Sequence, residues 1–285
     1  MTKTDVDVFD FDEMILRNSE KPKPIQLPEF IVLYGQPGSG KSYMAGSAID
    51  LKDVKKGLIL DTEGSTTVIT DQKFDIVRVD KYSRNKSDGT PDPHAKFKMF
   101  NQILFGTPDG SAVTEKGLFH TQNKTSYGVV IVDTLDKVQD WAIEYFQTEG
   151  APISKSGEVD GYKVWALVGK WAAALADGMK SIAPLAIATV HDKEEKTSTG
   201  ALTKRLELSG KAKNIVPGAA DMVAYLERRK TPDGPVTTAY FSTEDNKVTK
   251  SRFEQYIPPV VEGATIPWIF STIKEGHKND AASRK

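Results

Sequence analysis

Cysteine is absent from the 285 residues, which removes disulfides, thiolate metal sites and a cysteine nucleophile. Long apolar runs are missing as well. No stretch reaches 18 consecutive apolar residues, so no membrane-spanning helix is expected. The N-terminal stretch carries Asp5, Asp7, Asp10 and Asp12 without the apolar segment of a signal peptide, and the expected location is the cytoplasm, with no membrane partner. Charge of one sign is also lacking, with a net charge of only −1. Any contact with nucleic acid must then come from local basic patches or from assembly. No internal repeat is evident. What remains, 39% apolar and 27% charged, suits one large α/β domain with extensions, or at most two domains.

The stretch from Phe30 to Ser42 organises the rest. An apolar run of strand length, Phe30-Ile31-Val32-Leu33-Tyr34, feeds Gly35-Gln36-Pro37-Gly38-Ser39-Gly40-Lys41-Ser42, with Tyr43 opening a helix-compatible segment. This is the P-loop pattern G-x-x-x-x-G-K-S. Its spacing follows from what a triphosphate requires, namely backbone N–H groups turned inward around anionic oxygens with no side chain in the way. Gly35, Gly38 and Gly40 permit that path. Lys41 can reach the β and γ phosphates, and the Ser42 hydroxyl can ligate Mg²⁺. ATP and magnesium are therefore the expected cofactors.

Residues 1–28 read as a leader, 29–262 as the nucleotide-binding domain, and 263–285 as an apolar segment followed by a polar tail. Gly57-Leu58-Ile59-Leu60-Asp61-Thr62-Glu63-Gly64 is a short strand ending in two acids, with a further β-like run over Asp75 to Val79. Helical spacing covers Ala95 to Phe105, and the polar 106–126 reads as a surface insertion. Val129 to Val132 is an unbroken β-branched run that suits a parallel strand covered on both faces. Asp133 closes it at the Walker B position, where a carboxylate can hold the magnesium shell beside Ser42. Helices are expected over Leu135 to Thr148 and Lys163 to Ile182, and Trp141, Trp165 and Trp171 read as packing residues. A second buried strand, Leu185 to Val190, ends in His191, and 192–213 reads as a polar loop. Strands alternating with helices predict a mostly parallel sheet with helices on both faces. In such sheets ligands sit outside the carboxyl ends of the strands, which is where Gly35 to Ser42, Asp61 and Glu63, Asp133 and His191 all fall.

These residues resemble the RecA-like ATPases, in particular a phage-encoded branch of ATP-binding proteins that anneal single strands. The likeness rests on the P-loop, on Leu60-Asp61-Thr62-Glu63-Gly64, on the strand ending Asp133-Thr134 and on Ala188-Thr189-Val190-His191. It implies that Glu63 polarises the attacking water and that His191 senses the γ-phosphate. It implies two loops that hold single-stranded DNA, at 149–161 and 192–213, with Lys193, Lys196, Lys204 and Arg205 as contacts. It implies a homo-oligomeric ring or filament in which Lys247, Lys250 and Arg252 reach a neighbour's γ-phosphate, and single-strand-binding protein as a partner in a host cytoplasm. RecA proper has glutamine where this chain has His191, and the second loop carries no aromatic residue to stack on a base.

Other chemistries fit less of the sequence. Asp61-Thr62-Glu63-Gly64 matches the GTPase pattern D-x-x-G and Asn85-Lys86-Ser87-Asp88 matches N-K-x-D. The second match follows a polar stretch instead of closing a buried strand, which argues coincidence. A kinase would need an arginine-bearing lid. A helicase motor, a helicase loader or a nucleotide-gated assembly protein shares the core chemistry.

Overall fold

The computed structural model describes residues 26–69, 71–121, 126–196, 200–232, 234–242 and 246–283. Nearly all of the leader expected over 1–28 lies outside them. The apolar run before the P-loop forms β1 (Phe30–Gly35), buried along its whole length. Phe30, Val32 and Tyr34 enter one core cluster, while Ile31 and Leu33 enter another on the opposite face. Two-sided burial is why the run is apolar without alternation.

Among the described residues, β1 is joined by β2 (Gly57–Asp61), β3 (Phe74–Arg78), β4 (Val129–Asp133), β5 (Leu185–Lys196), β6 (Leu202–Leu206), β7 (Met222–Thr231), β8 (Gly234–Tyr240), β9 (Lys250–Ser251) and β10 (Val260–Glu262). The main path runs β10-β8-β7-β1-β5-β4-β2-β3. Its central strands are parallel, and β8, β9 and β10 add antiparallel edges. One face is covered by α2 (Ala95–Leu104), α3 (Leu135–Gln147), α4 (Gly161–Met179) and α5 (Ala212–Ala219). The other carries α1 (Lys41–Gly46) and α6 (Ile266–Ser283). This is the expected α/β architecture of a RecA-like P-loop core. Ile131, fully buried on β4 between β2 and β5, tests the two-sided core. Ile131→Ala is expected to destabilise the fold by about 2–5 kcal/mol, seen as a lower urea midpoint with an unchanged slope.

Several expectations need correction. The segment 192–213 is not a free loop. β5 continues through His191 to Lys196 and pairs antiparallel with β6, with Glu194 opposite Lys204 and with Asp192 and Glu195 reached by Lys204 and Arg205. The apolar segment at 266–273 continues as helix to Ser283, since only one stripe, Ile266, Ile269, Phe270 and Ile273, needs burial. Residues 122–125 of the expected 106–126 insertion lie outside the described residues, and its first part is tied to the core through Phe119, whose ring packs edge-on to Phe105 at 4.9 Å. Trp171 is buried as expected, but Trp165 is 41% exposed and its neighbour Tyr162 is 87% exposed.

Candidate functional site

At the carboxyl end of β1 the chain bends through Gln36 to Gly40 before α1 begins. Gly35 has φ 156°, and a Cβ there would lie 2.2 Å from the Leu226 carbonyl oxygen on β7. Gly40, at φ 98°, would press a Cβ to 2.7 Å from Thr237 Oγ1 on β8. The bend is therefore clamped by the β7–β8 hairpin, and glycine is required at both of its ends. Lys41 is 6% exposed. Its ammonium folds back over the bend, donating to the Gly35 carbonyl at 2.7 Å and the Gln36 carbonyl at 3.0 Å. Burial holds the ammonium below its ordinary pKa, against the opposing pull of the Asp133, Asp136, Asp192 and Glu63 carboxylates.

Asp133, at the end of β4, is 1% exposed. Its Oδ2 accepts from Ser42 Oγ at 2.7 Å and from Ser65 Oγ at 2.8 Å, and its Oδ1 from Thr189 Oγ1. The Ser42–Asp133 pairing fits magnesium: both are hard oxygen donors, and that cation keeps several waters while using one or two protein ligands. Ser39 Oγ is buried without a hydrogen-bond partner, turned toward Gly35 inside the same bend. Ser65 and Thr189 escaped the sequence reading. Ser65 lies in no motif, Thr189 reads only as part of the strand before His191, and the role of both becomes visible only when neighbouring strands bring them to Asp133.

The two acids ending β2 have different fates. Asp61 is fully buried and accepts from the Gly64 N–H at 2.7 Å, the Glu63 N–H at 3.2 Å and Thr66 Oγ1 at 2.6 Å, with Arg78 Nε at 3.1 Å. Its oxygens are committed to shaping the turn. Glu63 instead projects into the cavity. It is held near Asp133 by a staple between strand ends, in which Thr62 N–H donates to the Asp133 carbonyl at 2.8 Å and Thr62 and Thr134 exchange hydrogen bonds of 2.7 and 2.9 Å. Burial raises the Glu63 carboxyl above the usual range, opposed by His191. His191 Nε2 lies 3.7 Å from Glu63 Oε2. The imidazole is raised above its ordinary value chiefly by its hydrogen bond with Asp136, an acid that sequence reasoning missed.

These groups line one cavity of about 690 Å³, bounded by Pro37, Gly38, Gly40, Lys41, Ser42 and Tyr43 on one side and by Glu63, Asp133 and His191 on another. Arg228, Pro235 and Val236 of the β7–β8 hairpin overhang it. The other expected residues do not join it. Lys193 donates to the Leu208 carbonyl, Lys204 pairs with Asp192 and Glu194, and Arg205 pairs with Glu195. Lys196 is exposed at the end of β5. Lys247 lies over the Tyr240 ring at 4.4 Å. Lys250 and Arg252 lie by the start of β7, at the opposite end of the parallel strands from the cavity. Lys250 donates to the carbonyls of Pro217, Gly218 and Ala220. Arg252 pairs at 3.1 Å with Asp221, which itself accepts from the Phe30 N–H at the start of β1. Lys250 would have to give up these carbonyls to meet a phosphate, whereas Arg252 is 56% exposed and keeps other N–H groups outside its ion pair. The N-K-x-D lookalike at Asn85 lies in the connection between β3 and α2, away from the cavity.

No curated protein matches this chain. Among solved structures it is similar to the flagellar accessory protein FlaH from Methanocaldococcus jannaschii, at 10% identity and a TM-score of 0.29, covering 74% of this chain and 76% of that one. No helix among the described residues is long and apolar enough to cross a membrane. The family model described as AAA domain matches residues 28–253, most of the chain and all of the cavity apart from its rim at Gly263 and Ala264. With the P-loop, its partner carboxylate and the sheet that aligns them in place, the chain belongs to the AAA domain family of P-loop nucleotide-binding ATPases.

Proposed function

We propose that the protein hydrolyses ATP with magnesium and works on single-stranded DNA in recombination or annealing, as a homo-oligomer. The observation that carries the catalytic half is the convergence of Lys41, Ser42, Asp133, Glu63 and His191 on one cavity from four neighbouring strands. The P-loop amides and Lys41 bind and orient the triphosphate. Ser42 and Asp133 would hold magnesium, which when bound neutralises charge building on the phosphate oxygens. Glu63, the acid of its strand end that lines the cavity while Asp61 is engaged by the turn, accepts a proton from the attacking water. His191 Nε2 faces the same space and can donate to a phosphate oxygen.

The DNA half is supported by the resemblance and by placement. The β5–β6 hairpin rises directly from His191, so a change at the γ-phosphate has a short path to it. The hairpin's bases are largely balanced by its own acids, so affinity for DNA should come from several subunits together. The test is calorimetry of ATP with and without magnesium, followed by the ATPase rate with and without single-stranded DNA. Magnesium-dependent binding and at least several-fold stimulation support the proposal. Binding without stimulation rejects its DNA half and favours a nucleotide-gated assembly protein. No binding rejects both.

A further inference from the structure

Asp136 is the second residue of α3 and is buried. An acid in the first turn of a helix ordinarily serves the exposed N–H groups of that turn. Here both oxygens are turned to another element. Oδ1 accepts the backbone N–H of His191 at 3.0 Å, and Oδ2 lies 2.9 Å from His191 Nδ1. The contact spans 55 residues of sequence and exists because β4 and β5 are neighbours, which places the first turn of α3 beside the end of β5. A two-point grip fixes both the strand backbone and the ring.

Its chemistry follows from the donor inventory. A carboxylate can only accept, so the Nδ1 facing it carries a proton, and Asp136 favours the doubly protonated ring, in which Nε2 is a donor as well. The ring is then oriented with Nε2 toward Glu63 at 3.7 Å. We propose that Asp136 is a positioning residue that holds His191 in this orientation and charge state, so that in the nucleotide-free chain Nε2 restrains Glu63 and a bound γ-phosphate must compete for it. The raised imidazole pKa, whose first cause is Asp136, agrees with the geometry. Arrival of the phosphate would draw the Nε2 donor away and release the Glu63 carboxylate toward water, so the base would be freed only when there is something to hydrolyse. This rests on the reading of Glu63 and His191 given above, but the grip on His191 stands independently of it.

The test uses the full chain and Asp136→Asn, which keeps an oxygen for the His191 N–H but presents an amide donor to Nδ1. Long-range nitrogen–proton NMR of the His191 ring without nucleotide should show Nδ1 protonated in the parent and unprotonated in the variant. Turnover should fall about tenfold or more, in line with other residues that orient a functional side chain, with ATP affinity changed by less than about threefold. In a His191→Gln background the same change should have little further effect on turnover, because Asp136 acts through the ring. An unchanged ring protonation state, unchanged turnover, or full additivity with His191→Gln would each overturn the proposal. If the parent proves unable to bind or hydrolyse ATP, the functional reading fails, while the ring measurement still decides whether Asp136 governs His191.

Discussion

Lys41→Ala is expected to abolish turnover and to weaken ATP binding by at least about a hundredfold. The ammonium sits inside the bend at 6% exposure, oriented by the Gly35 and Gln36 carbonyls, so much of its desolvation precedes ligand arrival. Charge-assisted hydrogen bonds contribute about 1.5–3 kcal/mol each, and two of them to phosphate oxygens correspond to about 10²–10⁴ in affinity at 1.4 kcal/mol per tenfold. Arginine is not an equivalent replacement, since its planar fork has to be accommodated where a single ammonium is enclosed. Titration calorimetry with magnesium and ATP checks the prediction, together with a melting curve of the nucleotide-free variant to show that the sheet is intact. Near-parental affinity in a folded Lys41→Ala chain would remove the P-loop from the binding site and with it the functional reading.

The parts of the molecule that the sequence reveals are those whose physics is local. β1 and β4 announce themselves because burial on both faces leaves no polar position to disguise them. The P-loop is legible because a chain that must approach phosphates needs glycine at set positions, and Gly35 and Gly40 are confined by Leu226 and Thr237. Asp133 follows from the strand it closes. Glu63 can be preferred to Asp61 on family resemblance alone, but the physical reason appears only in three dimensions, where four donors around Asp61 leave it no role in chemistry.

What stayed hidden depends on pairings across the sheet. Asp192, Lys193, Glu194, Glu195 and Lys196 look like a solvated loop until β6 supplies Lys204 and Arg205 opposite them. Lys250 looks available for a neighbour's phosphate until three carbonyls are found around its ammonium. Asp136 has no motif of its own. Its meaning lies in the adjacency of two strands that are separated by two helices in the chain.

Glu63→Gln is expected to keep magnesium-dependent ATP binding within a few-fold of the parent and to lower turnover by about 10²–10⁴, the range of a lost general base. Glutamine matches glutamate in shape and keeps an oxygen on the side of His191 Nε2, which lies 3.7 Å from the parent carboxylate, so the geometry around the cavity survives while the proton acceptor is lost. Burial raises the parent carboxyl above its ordinary value, which makes it a stronger base toward the water. Asp61→Asn provides the contrast. It disturbs a fully buried acceptor of several donors, so its main effect should be on stability, at about 1–3 kcal/mol for the polar groups left poorly paired. Single-turnover hydrolysis and thermal unfolding of the two variants therefore separate the roles of neighbouring acids. Retained turnover in Glu63→Gln would move the base elsewhere, and His191 would then be restraining a carboxylate that does no chemistry.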